Sequence, residues 1–233
     1  MITLIGVGHV FAISDKVKEI IRYSRPEVVC LELDLQRYQS LLSKQRSGSA
    51  PLQYRLLAYF QKRMADKFGT EAGDEMLAAA SAAGEVGAKL ALIDMDAPHV
   101  FARLWKRMSM REKLSLMVGA FAGLFLSKEK VEEEIEKYEG HEDEYLALLG
   151  EGYPSIKQVL IDDRNKFMAD RLRDLSIKHS NVFAVIGDGH IPGLLEQLRP
   201  LEVKAIRLRD VRTGEPGTMT KAEFSSTYYY DQH

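Results

Sequence analysis

Two segments of this chain share one pattern, a short apolar run that ends in Gly-x-Gly-His. Residues 2–5 lead into Gly6-Val7-Gly8-His9, and residues 182–186 lead into Gly187-Asp188-Gly189-His190. Short apolar, β-branched runs bounded by glycines are typical of strands buried on both faces, as in parallel sheets. The carboxyl ends of such strands lie at one edge of the sheet, where open α/β sheets bind ligands. The repeated pattern therefore predicts an α/β fold with both histidines at one site.

The rest of the sequence supplies the other elements of such a fold. Residues 27–33, 89–94 and 202–208 are predicted to form further strands, and helical periodicity fills most of the segments between strands. We expect one α/β domain over residues 1–210, with a central, mainly parallel sheet of about five strands flanked by helices. A helical insertion of roughly residues 51–86 and 97–180 should cap the carboxyl ends of the strands, with residues 211–233 as a C-terminal tail.

The charge and cysteine content exclude several classes of protein. The 32 basic and 34 acidic side chains give a net charge of −2, which does not favour nucleic acid as a partner. The single cysteine, Cys30, rules out a disulfide framework and a cysteine-based zinc site. Because Cys30 lies in the apolar run of residues 28–31, we expect a buried, unreactive thiol.

No segment of the sequence predicts insertion into a membrane. The chain starts directly with a predicted strand, without the pattern of a signal peptide. Its most apolar stretch, residues 114–126, is shorter than the roughly 18–20 residues that cross a bilayer. We therefore expect a cytoplasmic protein without membrane contact. We also predict a homodimer contact at residues 114–126, because an exposed apolar strip needs a partner.

Four polar side chains lie within a predicted buried strand or just past its end: His9, Glu32, Asp94 and His190. Two histidines and a carboxylate form a familiar ligand set for zinc, manganese, cobalt or iron that leaves positions open for water. His9, His190 and Glu32 are thus candidate ligands of a divalent transition metal. Glu32 is alternatively a general base, and the sequence leaves both roles open. The opposing interpretation is that both histidines are ordinary core or turn residues.

Two arginines are candidate substrate-binding residues. Arg37 lies five residues after Glu32, and Arg164 lies within a predicted helix. Either could bind a substrate carboxylate or stabilise an oxyanion through bidentate hydrogen bonds, or belong to an ordinary ion pair of a helix. Asp34 and Asp96 are expected to cap helices. The residues expected to support the site without reacting are Gly6, Gly8, Asp94, Gly187 and Gly189.

The sequence resembles the TraB/PrgY/Tiki superfamily over residues 1–210. The resemblance lies in the paired G-x-x-H turns, in P-D/E-V-V-x-x-E-L-x-x-x-R at residues 26–37, in LALIDMDAPHVFARLW at residues 90–105 and in IDDRNKFMADRL at residues 161–172. Two positions depart from the pattern of the superfamily. Met95 replaces the arginine of its L-I-D-R-D motif, and Asp163 replaces the glutamate that often precedes Arg164.

The resemblance carries expectations about activity. Tiki proteins are metal-dependent peptidases, TraB and PrgY proteins are linked to the shutdown of peptide pheromone signalling, and related folds include erythromycin-esterase-like and haem-binding ChaN-like proteins. The family's histidines correspond to His9 and His190, its acid to Glu32 and its arginines to Arg37 and Arg164. We therefore predict a metal-dependent hydrolase of peptidase type, using manganese, cobalt or zinc on a peptide or small-molecule substrate. The alternatives are a protein that binds such a ligand without cleaving it, and a structural, self-associating protein.

Overall fold

The elements of the fold alternate between strands and helices along the chain. The computed structural model describes residues 1–8, 13–44, 73–115 and 151–213. The strands are β1 (Ile2–Val7), β2 (Val28–Leu31), β3 (Lys89–Leu92), β4 (Val182–Gly187) and β5 (Val203–Ile206). The helices are α1 (Ser14–Ser24), α2 (Leu35–Lys44), α3 (Asp74–Val86), α4 (Ala97–Arg107), α5 (Pro154–Lys157), α6 (Asp163–Lys178), α7 (Ile191–Gln197) and α8 (Leu208–Thr213), and residues 110–115 are also helical. A π-helical turn, Gln158–Asp162, joins α5 to α6, and a 3₁₀ turn, Asp188–His190, joins β4 to α7.

The strands form one parallel sheet. Their order is β3-β2-β4-β1-β5, and every neighbouring pair runs parallel. The strands that precede the two Gly-x-Gly-His turns, β1 and β4, are direct neighbours, with Val7 opposite Gly187 in the register. The predicted α/β fold with a parallel sheet of five strands flanked by helices is therefore confirmed.

Apolar side chains cover both faces of the sheet. Along β1, Ile2 and Leu4 belong to one core cluster, and Ile5 and Val7 belong to the other. Helices α1, α3 and α8 pack on the face of Ile5, whereas α6 and α7 pack on the face of Leu4. Burial of such an aliphatic side chain stabilises the fold by about 1.5–3 kcal/mol. Burial on both faces also explains why the strand sequences are apolar without alternation.

The segments predicted to form a helical insertion divide into two groups. Residues 51–72 and 116–150 lie outside the described residues, so their capping role stays a prediction, as does the homodimer contact beyond residue 115. The described helices α3 and α6 instead pack against faces of the sheet. The domain also continues past residue 210, because Val211 of α8 is buried against the sheet. Within the described segments, no helix is both long enough and apolar enough to span a bilayer.

Cys30 provides a first test of this packing. It is fully buried in the centre of β2, and burial raises the pKa of its thiol to about 12. Because the thiolate is the reactive species, we expect alkylation of the native protein at pH 8 to be at least about 100-fold slower than alkylation in denaturant. A time course with a thiol-reactive chromogenic reagent measures both rates. Rapid, stoichiometric labelling of the native protein would contradict the buried position of β2.

Candidate functional site

The carboxylate of Glu32 lies between two neighbouring strand ends. Glu32 directly follows β2, and its backbone N–H still donates to the carbonyl oxygen of Val185 in β4, at 3.1 Å. One carboxylate oxygen, Oε2, accepts a hydrogen bond from the backbone N–H of Gly187 at 2.5 Å. The other oxygen, Oε1, accepts from Arg164 and lies 3.3 Å from Nε2 of His190. The end of β2 therefore presents its acid to the second Gly-x-Gly-His turn.

The surroundings of Glu32 determine its charge. Burial alone would raise the pKa of Glu32, but His190, Arg164 and the backbone N–H of Gly187 together hold that pKa well below the usual range for a glutamate. The carboxylate is consequently ionised at neutral pH, although only 10% of the side chain is exposed. An ionised, buried carboxylate is suited to bind a cation.

Arg164 links two buried carboxylates. Its Nε and Nη2 donate to the two oxygens of Asp94 at 3.0 and 2.6 Å, and Nη2 also donates to Glu32. Its Nη1 donates to the carbonyl oxygen of Leu160, at 3.0 Å. Burial opposes the charge on Arg164, yet Asp94 and Glu32 raise the pKa of its guanidinium. Because each of its three side-chain nitrogens is already engaged, Arg164 acts in this structure as a bridge between acids.

Leu160, the residue that accepts from Nη1 of Arg164, belongs to the π-helical turn Gln158–Asp162. A π-turn inserts one extra residue into a helix, which rotates everything that follows, and such turns are frequent at functional sites. The turn thus sets the direction in which Arg164 leaves the start of α6.

Arg37 extends the set of ion pairs toward solvent. Its Nε donates to Asp34 at 2.7 Å, and its Nη2 donates to Asp94. The backbone N–H of Arg37 donates to Oδ1 of Asp34 at 2.8 Å, so the predicted helix cap at Asp34 is confirmed. Asp34 also accepts from the backbone N–H of Ala97 at the start of α4, at 3.1 Å. The predicted cap at Asp96 is confirmed as well, since its side chain accepts from the backbone N–H of His99.

We call the five residues Glu32, Asp34, Arg37, Asp94 and Arg164 the charged network. Three carboxylates in it face two guanidiniums, so the network carries one excess negative charge. A net charge in a largely buried group is costly unless a further cation compensates it. A cation bound beside Glu32 would compensate this charge.

His190 is held by a residue that the sequence analysis did not select. Its ring nitrogen Nδ1 lies 2.7 Å from Oδ1 of Asn165, and both side chains are buried. Since the amide oxygen can only accept, Nδ1 carries the hydrogen. The other ring nitrogen, Nε2, then faces Glu32. The position of Asn165, next to Arg164 in the 161–172 motif, was the signal available in the sequence.

Asp188 was also missed as a structural residue of the second turn. Arg207 donates to its Oδ2 through Nε and Nη2 at 3.0 and 2.8 Å, and the backbone N–H of Leu208 donates to its Oδ1 at 2.7 Å. These bonds tie the turn after β4 to the residues after β5. A Cβ on Gly6 would overlap the carboxylate of Asp188, so a glycine is required at that position of β1.

The structure brings together Glu32, Arg37, Asp94, Arg164 and His190, and it does so at the carboxyl ends of β2, β3 and β4. Other predicted site residues are less directly involved. Gly187 contributes its backbone N–H to Glu32, and nothing lies within 4 Å of a Cβ built on Gly189. His9 lies outside the described residues. The preceding residue, Gly8, is the last residue of the first described segment.

The structure therefore describes two of the three predicted metal ligands, Glu32 and His190, but not His9. Among the residues with described positions, no group of three histidine, cysteine, aspartate or glutamate side chains is arranged to hold a metal ion. Two of the predicted ligands, His190 and Glu32, do lie together, with Nε2 and Oε1 3.3 Å apart. Two ligands of a tetrahedral ion with bonds of about 2.0–2.1 Å are about 3.3–3.4 Å apart. This pair consequently fits two corners of such a site.

Comparison with known proteins identifies a family, a related protein and a similar solved structure. Residues 1–205 match the model of the TraB/PrgY/gumN family. An uncharacterized protein of Methanocaldococcus jannaschii is 32% identical over 214 residues, which cover 86% of this chain and 54% of that protein. This chain thus spans about half the length of that relative. The solved structure of haem-binding ChaN from Campylobacter jejuni is similar at 12% identity and a TM-score of 0.40, covering 88% of this chain and 80% of that one.

Proposed function

This chain belongs to the TraB/PrgY/gumN family. From that premise we propose that it is a metal-dependent hydrolase in which His190 and Glu32 bind the metal ion. One observation carries the proposal: Nε2 of His190 lies 3.3 Å from Oε1 of Glu32. The hydrogen bond from Nδ1 of His190 to Asn165 supports it, because metal-bound histidines usually donate their second ring hydrogen to a fixed acceptor. His9 is the proposed third ligand, on the evidence of the sequence pattern alone.

The charge of the site also favours a cation. The charged network holds one excess negative charge, and Glu32 is ionised next to His190. When bound, a divalent ion such as manganese, cobalt or zinc supplies a water of lowered pKa and polarises a substrate carbonyl. Glu32 is also the proposed acceptor of a proton at this site. Arg164 holds both Glu32 and Asp94 in place and helps to keep Glu32 ionised.

The proposed substrate is a peptide, and this part rests on the family resemblance. A second candidate, capture of a peptide or small ligand without cleavage, is favoured by a separate observation. Both carboxylate oxygens of Glu32 already accept hydrogen bonds, from Gly187 and from Arg164. These contacts, together with His190, hold the pKa of Glu32 below its usual range, which makes Glu32 a weaker base but would not impair a binding protein.

Metal analysis of purified protein tests the proposal directly. After incubation with manganese, cobalt or zinc and removal of free ions, we expect about one ion per chain in the wild type. We expect less than a tenth of that in His190→Ala and His9→Ala, with the fold intact by circular dichroism. His99→Ala is the matched control, because His99 is exposed at the start of α4.

Turnover separates the two candidates. Cleavage of a quenched-fluorescence peptide library by the metal-loaded wild type, lost by at least about 100-fold in His190→Ala, supports the hydrolase. Metal binding with peptide affinity but without cleavage supports capture. A wild-type protein that binds none of the three ions would overturn the metal-dependent proposal.

A further inference from the structure

We infer that Asn165 is a positioning residue that fixes the ring of His190, both its orientation and the nitrogen that carries the hydrogen. The inference deepens the proposed function. Its metal-affinity test rests on that function, whereas its NMR test does not. It assigns a role to Asn165 and, as its accommodating neighbour, to Gly193.

The hydrogen bond between the two side chains is isolated from solvent. Nδ1 of His190 and Oδ1 of Asn165 are 2.7 Å apart, and the two residues are 5% and 3% exposed. A buried polar atom that loses its partner is not compensated by water. Any rotation of the imidazole away from Asn165 would therefore leave two polar atoms unsatisfied, so each side chain holds the other in place.

The amide decides which nitrogen of His190 faces the charged network. An amide oxygen accepts but does not donate, so Nδ1 must carry the hydrogen. Nε2 is then the nitrogen that lies 3.3 Å from Oε1 of Glu32, so the ring spans the distance from the amide to the carboxylate. A metal ion bound between His190 and Glu32 would take the place of a hydrogen on Nε2, while the hydrogen on Nδ1 stays with Asn165.

Asparagine suits the position better than aspartate would. The charged network already has one more carboxylate than guanidiniums, and its members Glu32 and Asp94 lie beside Arg164, the residue before Asn165. A neutral amide provides the acceptor for Nδ1 without adding another negative charge. This choice leaves the excess charge free to attract a cation.

Gly193 provides the space that the amide of Asn165 occupies. An ideal Cβ on Gly193 would overlap Nδ2 of Asn165, so a glycine on α7 makes room for the amino end of the amide. With the amino end against α7, the oxygen end points at Nδ1 of His190. Asn165 and Gly193 therefore form a unit in which the glycine makes room for the amide and the amide orients the imidazole.

Variants of both residues test the inference in metal-free protein. Asn165→Leu removes the acceptor at similar volume, Asn165→Asp retains an acceptor, and Gly193→Ala displaces the amide. Gly84→Ala is the control, because nothing lies within 4 Å of the Cβ it would add and the residue is exposed in α3, away from His190. Long-range proton–nitrogen NMR at alkaline pH reports which ring nitrogen of each histidine is protonated, and His190→Gln assigns the signal of His190.

We expect a hydrogen on Nδ1 in the wild type, in Asn165→Asp and in Gly84→Ala, and its loss from Nδ1 in Asn165→Leu and Gly193→Ala. A residue that only fills space would not give this division between Asn165→Asp and Asn165→Leu. An unchanged Nδ1 signal in Asn165→Leu overturns the inference, and if that variant does not fold, an unchanged signal in Gly193→Ala does so.

Metal affinity provides the second readout. We expect a 10–100-fold weaker affinity in Asn165→Leu than in the wild type, as is typical for loss of a partner that orients a metal-bound histidine. An equal affinity in the two proteins contradicts the positioning role. If the wild type binds no metal, the proposed function fails, while the NMR comparison still decides the role of Asn165.

Discussion

Replacing Arg164 with methionine is expected to destabilise the protein by about 3–5 kcal/mol, the cost of leaving buried charges without their partner. Arg164 donates to Asp94 and to Glu32, whose side chains are 0% and 10% exposed. Methionine fills a similar volume but provides no hydrogen-bond donor. The two carboxylates would then face each other, with Arg37 as the remaining guanidinium of the charged network.

The destabilisation should become smaller as the pH falls. In the wild type, the pKa of Glu32 is lowered in the folded state, so its contribution to stability is complete above the pKa of the unfolded chain and is lost toward acid. In Arg164→Met, Glu32 loses one of the groups that lower its pKa, while His190 and the backbone N–H of Gly187 remain, so the pKa of Glu32 should rise toward that of the unfolded chain and less stability should be lost toward acid. The two stability curves should therefore converge as the pH falls below the pKa of the unfolded chain, from about pH 5 downward.

Denaturant unfolding at several pH values measures this effect. Arg22→Met is the matched control, because Arg22 pairs with Glu85 on the surface and both side chains are largely exposed. We expect little change in the free energy of unfolding for that variant, since exposed ion pairs contribute little. An Arg164→Met protein as stable as Arg22→Met at neutral pH would show that Glu32 and Asp94 are not buried as described.

The fold was accessible from the sequence because burial leaves a continuous signal in parallel strands. The apolar runs at β1 and β4 predicted both strands and their shared carboxyl edge, which the register of Val7 opposite Gly187 confirms. The cap of α2 at Asp34 was predictable for a similar reason, since capping depends on residues close in the chain. Local patterns of this kind determine secondary structure and, through it, the order of the layers.

The contacts of the site were less accessible, because they join residues far apart in the chain. Arg164 is 132 residues from Glu32 and 70 from Asp94, and no spacing rule predicts that they meet. The sequence of the π-helical turn, QVLID, is compatible with an ordinary helix, so the turn that orients Arg164 leaves no mark in the pattern. Asn165 was overlooked because a polar residue in a helix is usually exposed.

Gly6 shows how one position of the motif supports the whole site, and Gly6→Ala is expected to destabilise the protein by about 3–5 kcal/mol. The added Cβ would overlap the carboxylate of Asp188 and come within 3.0 Å of the side chain of Ile191. Asp188 cannot move aside freely, because it accepts hydrogen bonds from Arg207 and from the backbone of Leu208. The expected loss thus combines overpacking with broken buried hydrogen bonds.

Gly84→Ala is the matched control for this substitution. A Cβ on Gly84, in α3, meets nothing within 4 Å, and the residue is exposed. We expect that variant to be about 0.5–1 kcal/mol more stable than the wild type, because alanine favours the helix. Thermal and denaturant unfolding of both variants measures the difference. Equal behaviour of Gly6→Ala and Gly84→Ala would contradict the close approach of β1 to Asp188.

A double variant identifies the cause of the loss. Asp188→Ala removes the atoms that the new Cβ of residue 6 would meet, so Gly6→Ala should cost much less in that background than in the wild type. The coupling energy between the two positions should then be favourable and larger than about 1 kcal/mol. Simple additivity would instead assign the cost of Gly6→Ala to Ile191 or to the strand itself. Because Asp188 opens the turn that carries His190, a large coupling would also mean that the first Gly-x-Gly-His turn needs its glycine to accommodate the second.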